Sequence, residues 1–375
     1  LLYYSLNLKG LGFLLKLLLT RKNKVFMEFP LVPQINDYAA KQARQRQHCL
    51  TKPLGSLGFL EELSIQLAGM TGNPRPRFSK KGVIVMAADH GIALEGVSAY
   101  PPEVTQQMVL NFIHQGAAVN VLARQANAEV KVVDIGVACD FNDINGLIHR
   151  KIASGTQNMA NGPAMTVKQA EEAIYIGMEI VAGEIENGLD LLATGEMGIG
   201  NTTASSAITA VLTGLPVEKV TGRGTGIDDS GLAHKIEVIR KAIMLNNPNP
   251  DDSLDVLSKL GGFEIAGLVG VVIGAAARRV PVVVDGFISS VAALLAVRLV
   301  PSVKQYLIAS HQSVEIGQLV IWQELGLRPI LNLDMRLGEG SGAVLVFQVI
   351  EAATSILDEM ATFSEAGVSD RDEAA

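Results

Sequence analysis

A chain of 375 residues with 48% apolar side chains can bury one large core or two modest ones, and its 5% aromatic content with 37 glycines suits helices packed on a parallel sheet. The formal net charge of −7, with no basic stripe, excludes a nucleic-acid partner. Only Cys49 and Cys139 are present, in no CxxC arrangement, which excludes a disulfide framework and a thiolate zinc site and fits a reducing cytosol.

Residues 1–26, "LLYYSLNLKGLGFLLKLLLTRKNKVF", carry five basic residues and no acidic one. Lys9 and Lys16 interrupt the apolar run, the charges cluster after it, and no small-residue cleavage site follows. The segment reads as an extension outside any fold, with a peripheral membrane segment as the alternative; no stable membrane association is expected. Residues 28–78 read as helical, broken at "TKPLGSLG". From residue 82, short apolar runs alternate with longer amphipathic ones. "GVIVMAA", "VKVVDIG", "LDLLATG", "VPVVVDG", "QYLIAS" and "PILNL" are of strand length and continuously apolar in most cases, as strands covered on both faces are. Between them "TVKQAEEAIYIGMEIVAGEIENG" reads as a helix, with Thr166 as N-cap and Gly188 as stop. The alternation predicts a doubly wound parallel α/β sheet over residues 81–340. Residues 27–80 and about 341–362 combine into a smaller helical subdomain, and 363–375 read as a disordered tail.

In open parallel sheets ligands bind beyond the carboxyl ends of the strands. Those ends carry "ADHG", "DIGV", "TGEMGIGNTT", "DGFISS" and "SHQS", so one mouth of the sheet collects small and polar residues.

"GEMGIGNTT", residues 195–203, follows a strand and opens a helix. Glycines admit a ligand to the backbone, and the free amides of a helix start attract an anion. Gly195 and Gly200 have P-loop spacing, but Asn201 stands where the loop's lysine would reach the outer phosphates of a nucleoside triphosphate. That favours a single phosphate; a tight turn that simply needs glycine explains the string equally well. "VTGRGTGIDD" has Gly222, Gly224 and Gly226 outside the dinucleotide spacing. It is either a second backbone cradle, with Arg223 or Lys235 near an anion, or a flexible loop between helices.

"AADHGIALEGVSAYPPEVTQQM" offers Asp89, His90, Glu95 and Tyr100. No HExxH spacing or third ligand accompanies them, so zinc is not implied and loop-fixing hydrogen bonds are the simpler role. Pro101-Pro102 starts a helix, and Tyr100 presents a flat face to an aromatic ligand. His311 in "SHQS" reads as a satisfied loop residue. In "MRLGEGSGA", residues 335–343, Ser341 has no nucleophile-elbow context, which leaves Glu339 as the reactive candidate. Desolvated near glycines and Leu337, its carboxylate would gain basicity. It could equally be a helix-start glutamate facing the dipole of the helix that follows.

Taken together, "KPLGSLGFLEEL", "AADHGIALEGVSAYPPEVTQQMV", "INGLIHRKIASGTQNMANGPAM", "GEMGIGNTT", "LSKLGGFEIAGLVG", "PVVVDGFISS", "SHQSVEIG" and "MRLGEGSGA" closely resemble the nicotinate-nucleotide–dimethylbenzimidazole phosphoribosyltransferase family, from about Met27 to about Thr362. The resemblance implies a parallel α/β domain with a smaller helical domain from both chain ends, assembled as a homodimer. It implies phosphoribosyl transfer from nicotinate mononucleotide to dimethylbenzimidazole, giving α-ribazole phosphate and nicotinate, with no cofactor and no metal because no pyrophosphate leaves. Glu339 becomes the general base, with Glu196 and Lys235 as further catalytic residues. Gly198, Gly200, Asn201, Thr202, Gly222, Gly224 and Ser313 would hold the nucleotide and its phosphate; Tyr100, Met108 and Leu337 would line the base pocket. Two alternatives stand beside this reading. A nucleotide-dependent oxidoreductase would require a GxGxxG unit with a following acidic residue, and a non-catalytic sugar-phosphate sensor would tolerate loss of Glu339.

Overall fold

The computed structural model describes residues 27–142 and 144–369. Two helices come first. Helix α1 (Asp37–Cys49) starts at Asn36, whose side chain accepts the amide of Ala39, and α2 (Phe59–Thr71) ends at left-handed Gly72. They are separated by the glycine- and proline-marked break that the sequence predicts.

Six strands follow: β1 (Lys81–Ala88), β2 (Ala128–Gly136), β3 (Leu147–His149), β4 (Leu191–Met197), β5 (Val282–Val284) and β6 (Leu307–Ala309). Every pairing is parallel and the spatial order is β3-β2-β1-β4-β5-β6. The doubly wound parallel α/β fold expected from the alternation is therefore what forms. The order reverses between β1 and β4, the point at which such sheets open a crevice. All residues of β1 and β5 are buried, as continuous apolar runs require.

The covering helices are α3 (Glu103–Ile113), α4 (Ala118–Gln125), α5 (Val167–Glu186), α6 (Asn201–Thr213), α7 (Asp229–Asn246), α8 (Ser253–Leu260), α9 (Phe263–Ala276), α10 (Phe287–Leu299) and α11 (Ile316–Leu325). Thr166 caps α5 as expected, its side chain accepting the amide of Gln169. Helix α9 is buried at every residue. A Cβ on Gly177 of α5 would overlap the Gly267 carbonyl of α9, so the two helices meet backbone to backbone. The long helix α12 (Ser341–Glu359) packs on α2 and α4, and the Arg46 guanidinium donates to the carbonyls of Leu357, Asp358 and Met360 at its far end. By length and composition alone α12 could cross a membrane, but Ala343, Val346, Phe347 and Ile350 are buried in the core.

The structure overturns two expectations and adds one strand. "PILNL" is not a strand of the main sheet: the Ile330 amide donates to the Ala309 carbonyl at the end of β6, but β8 (Leu331–Asn332) pairs with β7 (His311–Gln312). Strand β3 was not foreseen, because three residues with one outward histidine leave no pattern. Residues 363 onward, expected to lack order, begin with the helix turn α13 (Phe363–Ala366), capped by Thr362 accepting the amide of Glu365. Residues 1–26, read as an extension, and 370–375 lie outside the described residues.

Candidate active site

Glu339 stands in the loop before α12, between Gly338 and Gly340, and the three have φ of 85°, 64° and 100°. Left-handed backbone is easy for glycine and strained for glutamate, so the surrounding structure must impose it. Part of that constraint is steric: a Cβ on Gly195 of β4 would overlap the carbonyl oxygen of Glu339. The side chain is 6% exposed, and one carboxylate oxygen accepts the amide of Val119 at 3.2 Å. Val119 lies in the first turn of α4, where amides lack helical partners. Glu339 thus faces the start of another helix, not of the one it precedes. Burial raises its pKa, against the Val119 hydrogen bond, and the charge of Asp285 adds to the rise.

Asp285, at the carboxyl end of β5, is fully buried. Its two carboxylate oxygens accept the amides of Gly340 at 3.0 Å and Ala343 at 2.9 Å. Burial drives its pKa up as well. Glu196, near the end of β4, accepts from the Asn201 side-chain amide, while Gly338 lies so close to its other oxygen that a Cβ there would overlap it. Burial, then the charges of Asp285 and Glu264, push Glu196 up to about 8. A carboxyl placed as Glu196 is can hold a proton near neutral pH.

Gly200 is the left-handed N-cap of α6, with Asn201 opening the helix. The amide of Ile199, between Gly198 and Gly200, donates to Thr105 Oγ1 at 3.0 Å. Lys235 of α7 is fully buried and donates to Thr202 Oγ1 at 2.8 Å. Burial lowers its pKa to about 8, with the Glu315 carboxylate working in the opposite sense. Gly224 donates its amide to Glu315 Oε1 at 2.8 Å, and Gly222 abuts the same carboxylate. Ser313 Oγ accepts the Glu315 amide at 3.2 Å. Lys235, Thr202, Gly222, Gly224, Glu315 and Ser313 therefore form one connected group. Arg223 is not among them, since its guanidinium turns to Asp229 and the Ile227 carbonyl.

Tyr100 and Leu337 are exposed, and Met108 is half-buried beside Asn111. The loop before Tyr100 is tied to the glycine-rich loop: Ala99 donates its amide to Thr225 Oγ1 at 3.0 Å, with Ser98 Oγ 3.1 Å from the same atom. His90 and His311 are both buried. His90 Nε2 lies 2.6 Å from Glu264 Oε1, and His311 Nδ1 lies 2.9 Å from Ser310 Oγ. Asp89 accepts the amide of Ala138 at 2.8 Å. Among the described residues, no three of His, Cys, Asp or Glu are grouped as a metal ion would need.

Four polar residues of this region were not singled out from the sequence: Asp285, Glu264, Glu315 and Thr105. Asp285 had a signal, a carboxylate directly after the run "VPVVV". So did Glu264, the one charged residue of the otherwise apolar helix α9. Glu315 and Thr105 had none.

The family model described as Phosphoribosyltransferase matches residues 32–368. The nicotinate-nucleotide–dimethylbenzimidazole phosphoribosyltransferase of Chloroflexus aggregans is 60% identical over 340 residues, covering 91% of this chain and 96% of that one. Its namesake from Desulforudis audaxviator is 55% identical, with 89% and 95% covered. A crystal structure of CobT from Thermus thermophilus superposes with a TM-score of 0.85 at 46% identity, covering 88% of this chain and 99% of that one. At these identities and coverages, this chain belongs to the phosphoribosyltransferase family of the nicotinate-nucleotide–dimethylbenzimidazole enzymes.

Proposed function

We propose that this protein transfers the phosphoribosyl group of nicotinate mononucleotide to dimethylbenzimidazole, releasing nicotinate and α-ribazole phosphate, the nucleotide of the lower ligand of cobalamin. The relatives that carry this name support the substrates. The observation that carries the chemistry is a buried carboxylate, Glu339, on bare left-handed backbone at the carboxyl end of the sheet.

In this reading the pyridinium of the donor makes nicotinate a good leaving group. The C1′–N bond breaks with its electron pair passing to the nicotinate ring, and a benzimidazole nitrogen bonds to the opposite face of C1′. Displacement at such a carbon needs positioning and relief of charge more than a covalent intermediate. The other ring nitrogen then carries a surplus proton, which Glu339 takes; its raised pKa suits that task. Glu196 lies beside the ribose, and Lys235 with Thr202 meets the donor's single phosphate. The amides at Gly198, Gly200 and Asn201, the Gly222 and Gly224 loop, and Ser313 complete the nucleotide cradle. Tyr100, Met108 and Leu337 cover the flat acceptor. Two copies of the chain form the working enzyme.

The test is to mix the purified protein with nicotinate mononucleotide and dimethylbenzimidazole and follow nicotinate and α-ribazole phosphate by mass-resolved chromatography. Equal appearance of both is expected. A folded protein that binds the donor and yields neither overturns the reading.

A further inference from the structure

We propose that Asp285 is a positioning residue for Glu339, holding the start of α12 in the one arrangement that leaves the Glu339 carboxylate free for the acceptor. The inference rests on the reading of Glu339 as the base.

A helix start presents unpartnered amides, and the nearest carboxylate normally takes them. Here the N-cap, Gly340, has no side chain, and the nearest carboxylate in sequence is Glu339 itself. Left alone, Glu339 would fold back onto its own helix and be spent there. Asp285 prevents this by occupying the amides of both Gly340 and Ala343 from the side of the sheet. The Ser341 amide and hydroxyl are also taken, by the Gly338 carbonyl at 3.0 and 2.7 Å. With these donors satisfied, the Glu339 carboxylate points away from α12 and reaches the Val119 amide of α4.

Asp285 is itself held from several directions. Its amide donates to Thr194 Oγ1 of β4 at 3.2 Å, and its carbonyl accepts from the Gln318 side chain of α11 at 3.1 Å. Gln318 also accepts the amide of Ser313, and His311 Nδ1 lies 3.9 Å from the Asp285 carboxylate. The position of Glu339 is thus referred to the end of β5 through one buried side chain. Without that carboxylate, two helix amides fall open and compete for the base.

The experiment is a double-mutant cycle on the whole chain. Asp285→Asn and Asp285→Ser are each made alone and on Glu339→Gln, with turnover measured on nicotinate mononucleotide and dimethylbenzimidazole and donor affinity measured by calorimetry. Asp285→Asn is expected to lower kcat about 100-fold, the scale of a misplaced reacting group, while donor affinity changes less than about 3-fold. Asparagine keeps one acceptor at the carboxylate's position, whereas serine is too short to reach either amide and loses at least as much. On the Glu339→Gln background either change costs less than about 3-fold, because residues acting as a unit are not additive. Equal losses on both backgrounds, or a loss of donor affinity matching the loss of turnover, overturns the assignment. So does failure of both Asp285 variants to fold, since the carboxylate then serves the fold alone. Undiminished turnover in Glu339→Gln by itself would instead remove Glu339 as the base, and the positioning role with it.

Discussion

The amide of Val119 donates to the carboxylate of Glu339 at 3.2 Å, across 220 residues of sequence. Glutamine at 339 keeps an acceptor for that amide and nearly the same shape, but it cannot take a proton. Glu339→Gln is therefore expected to lower kcat about 10²- to 10⁴-fold while donor affinity is kept. Because burial raises the Glu339 pKa above its ordinary 4.5, the acid limb of the wild-type kcat profile lies above that value. Turnover falls as pH drops through the limb, which steady-state rates at graded pH will show, and Glu339→Gln lacks it.

Gly195→Ala places a methyl group against the carbonyl of Glu339 and 3.0 Å from the Val85 side chain. The backbone on one side or the other must shift. Overpacking of this kind costs about 1–3 kcal/mol, so a lower urea midpoint is expected together with a kcat reduced at least about 10-fold. Full activity in a folded Gly195→Ala protein would show that the Glu339 loop yields without moving its carboxylate.

Lys235→Met removes a buried ammonium and keeps most of its packing. The buried Glu315 carboxylate is then left without its neighbouring cation, so Tm is expected to fall, and KM for nicotinate mononucleotide rises about 10- to 100-fold from the lost charged hydrogen bond. In the wild type, donor KM climbs as pH passes about 8 and the ammonium loses its proton. The methionine variant is flat across that range, and initial rates at graded donor concentration and pH separate the two cases.

Glu196 makes a distinct contribution to stability. Its folded pKa, near 8, lies above the unfolded 4.5, so the neutral carboxyl's contribution is complete below about pH 4.5 and is lost as pH rises to 8. Asp285 and Glu339, also raised by burial, act in the same sense. Urea unfolding at pH 5 and pH 8 should show Glu196→Gln losing less stability than the wild type over that interval, by a difference on the order of a few kcal/mol. Equal losses would mean that Glu196 is ionised throughout.

Leu337 is 56% exposed beside Gly338. Leu337→Ala is expected to change stability by less than about 0.5 kcal/mol, because so little of the side chain is buried. The acceptor's KM should nevertheless rise several-fold, and acceptor titrations at saturating donor measure it. An unchanged acceptor KM would take Leu337 out of the base pocket.

The central strands were legible because their chemistry is local. A continuous run such as "VPVVV" suits only a strand covered on both faces, and β5 is buried throughout. The alternation of such runs with capped helices then decides the fold class. The edges were not legible: β3 is three residues long, and "PILNL" has strand composition but its strand residues pair with β7, two residues that carry no apolar run. Glu339 was readable as a candidate because glycines flank it. Its competing role, facing the dipole of the following helix, could not be weighed from local sequence, because the group that takes those amides is Asp285, more than fifty residues away.

Sequence by itself determined the parallel α/β class, the mouth where the polar strand ends collect, and the glutamate to suspect, since each depends on residue type and short-range spacing. Tertiary structure alone decided the partners: Lys235 on Thr202 in place of Arg223, Glu315 under Gly224, and Asp285 on the amides that Glu339 would otherwise take. These are contacts between segments remote in the chain. Their energies depend on burial and on which competing donor is already satisfied, and both exist only once the sheet and its helices have closed together.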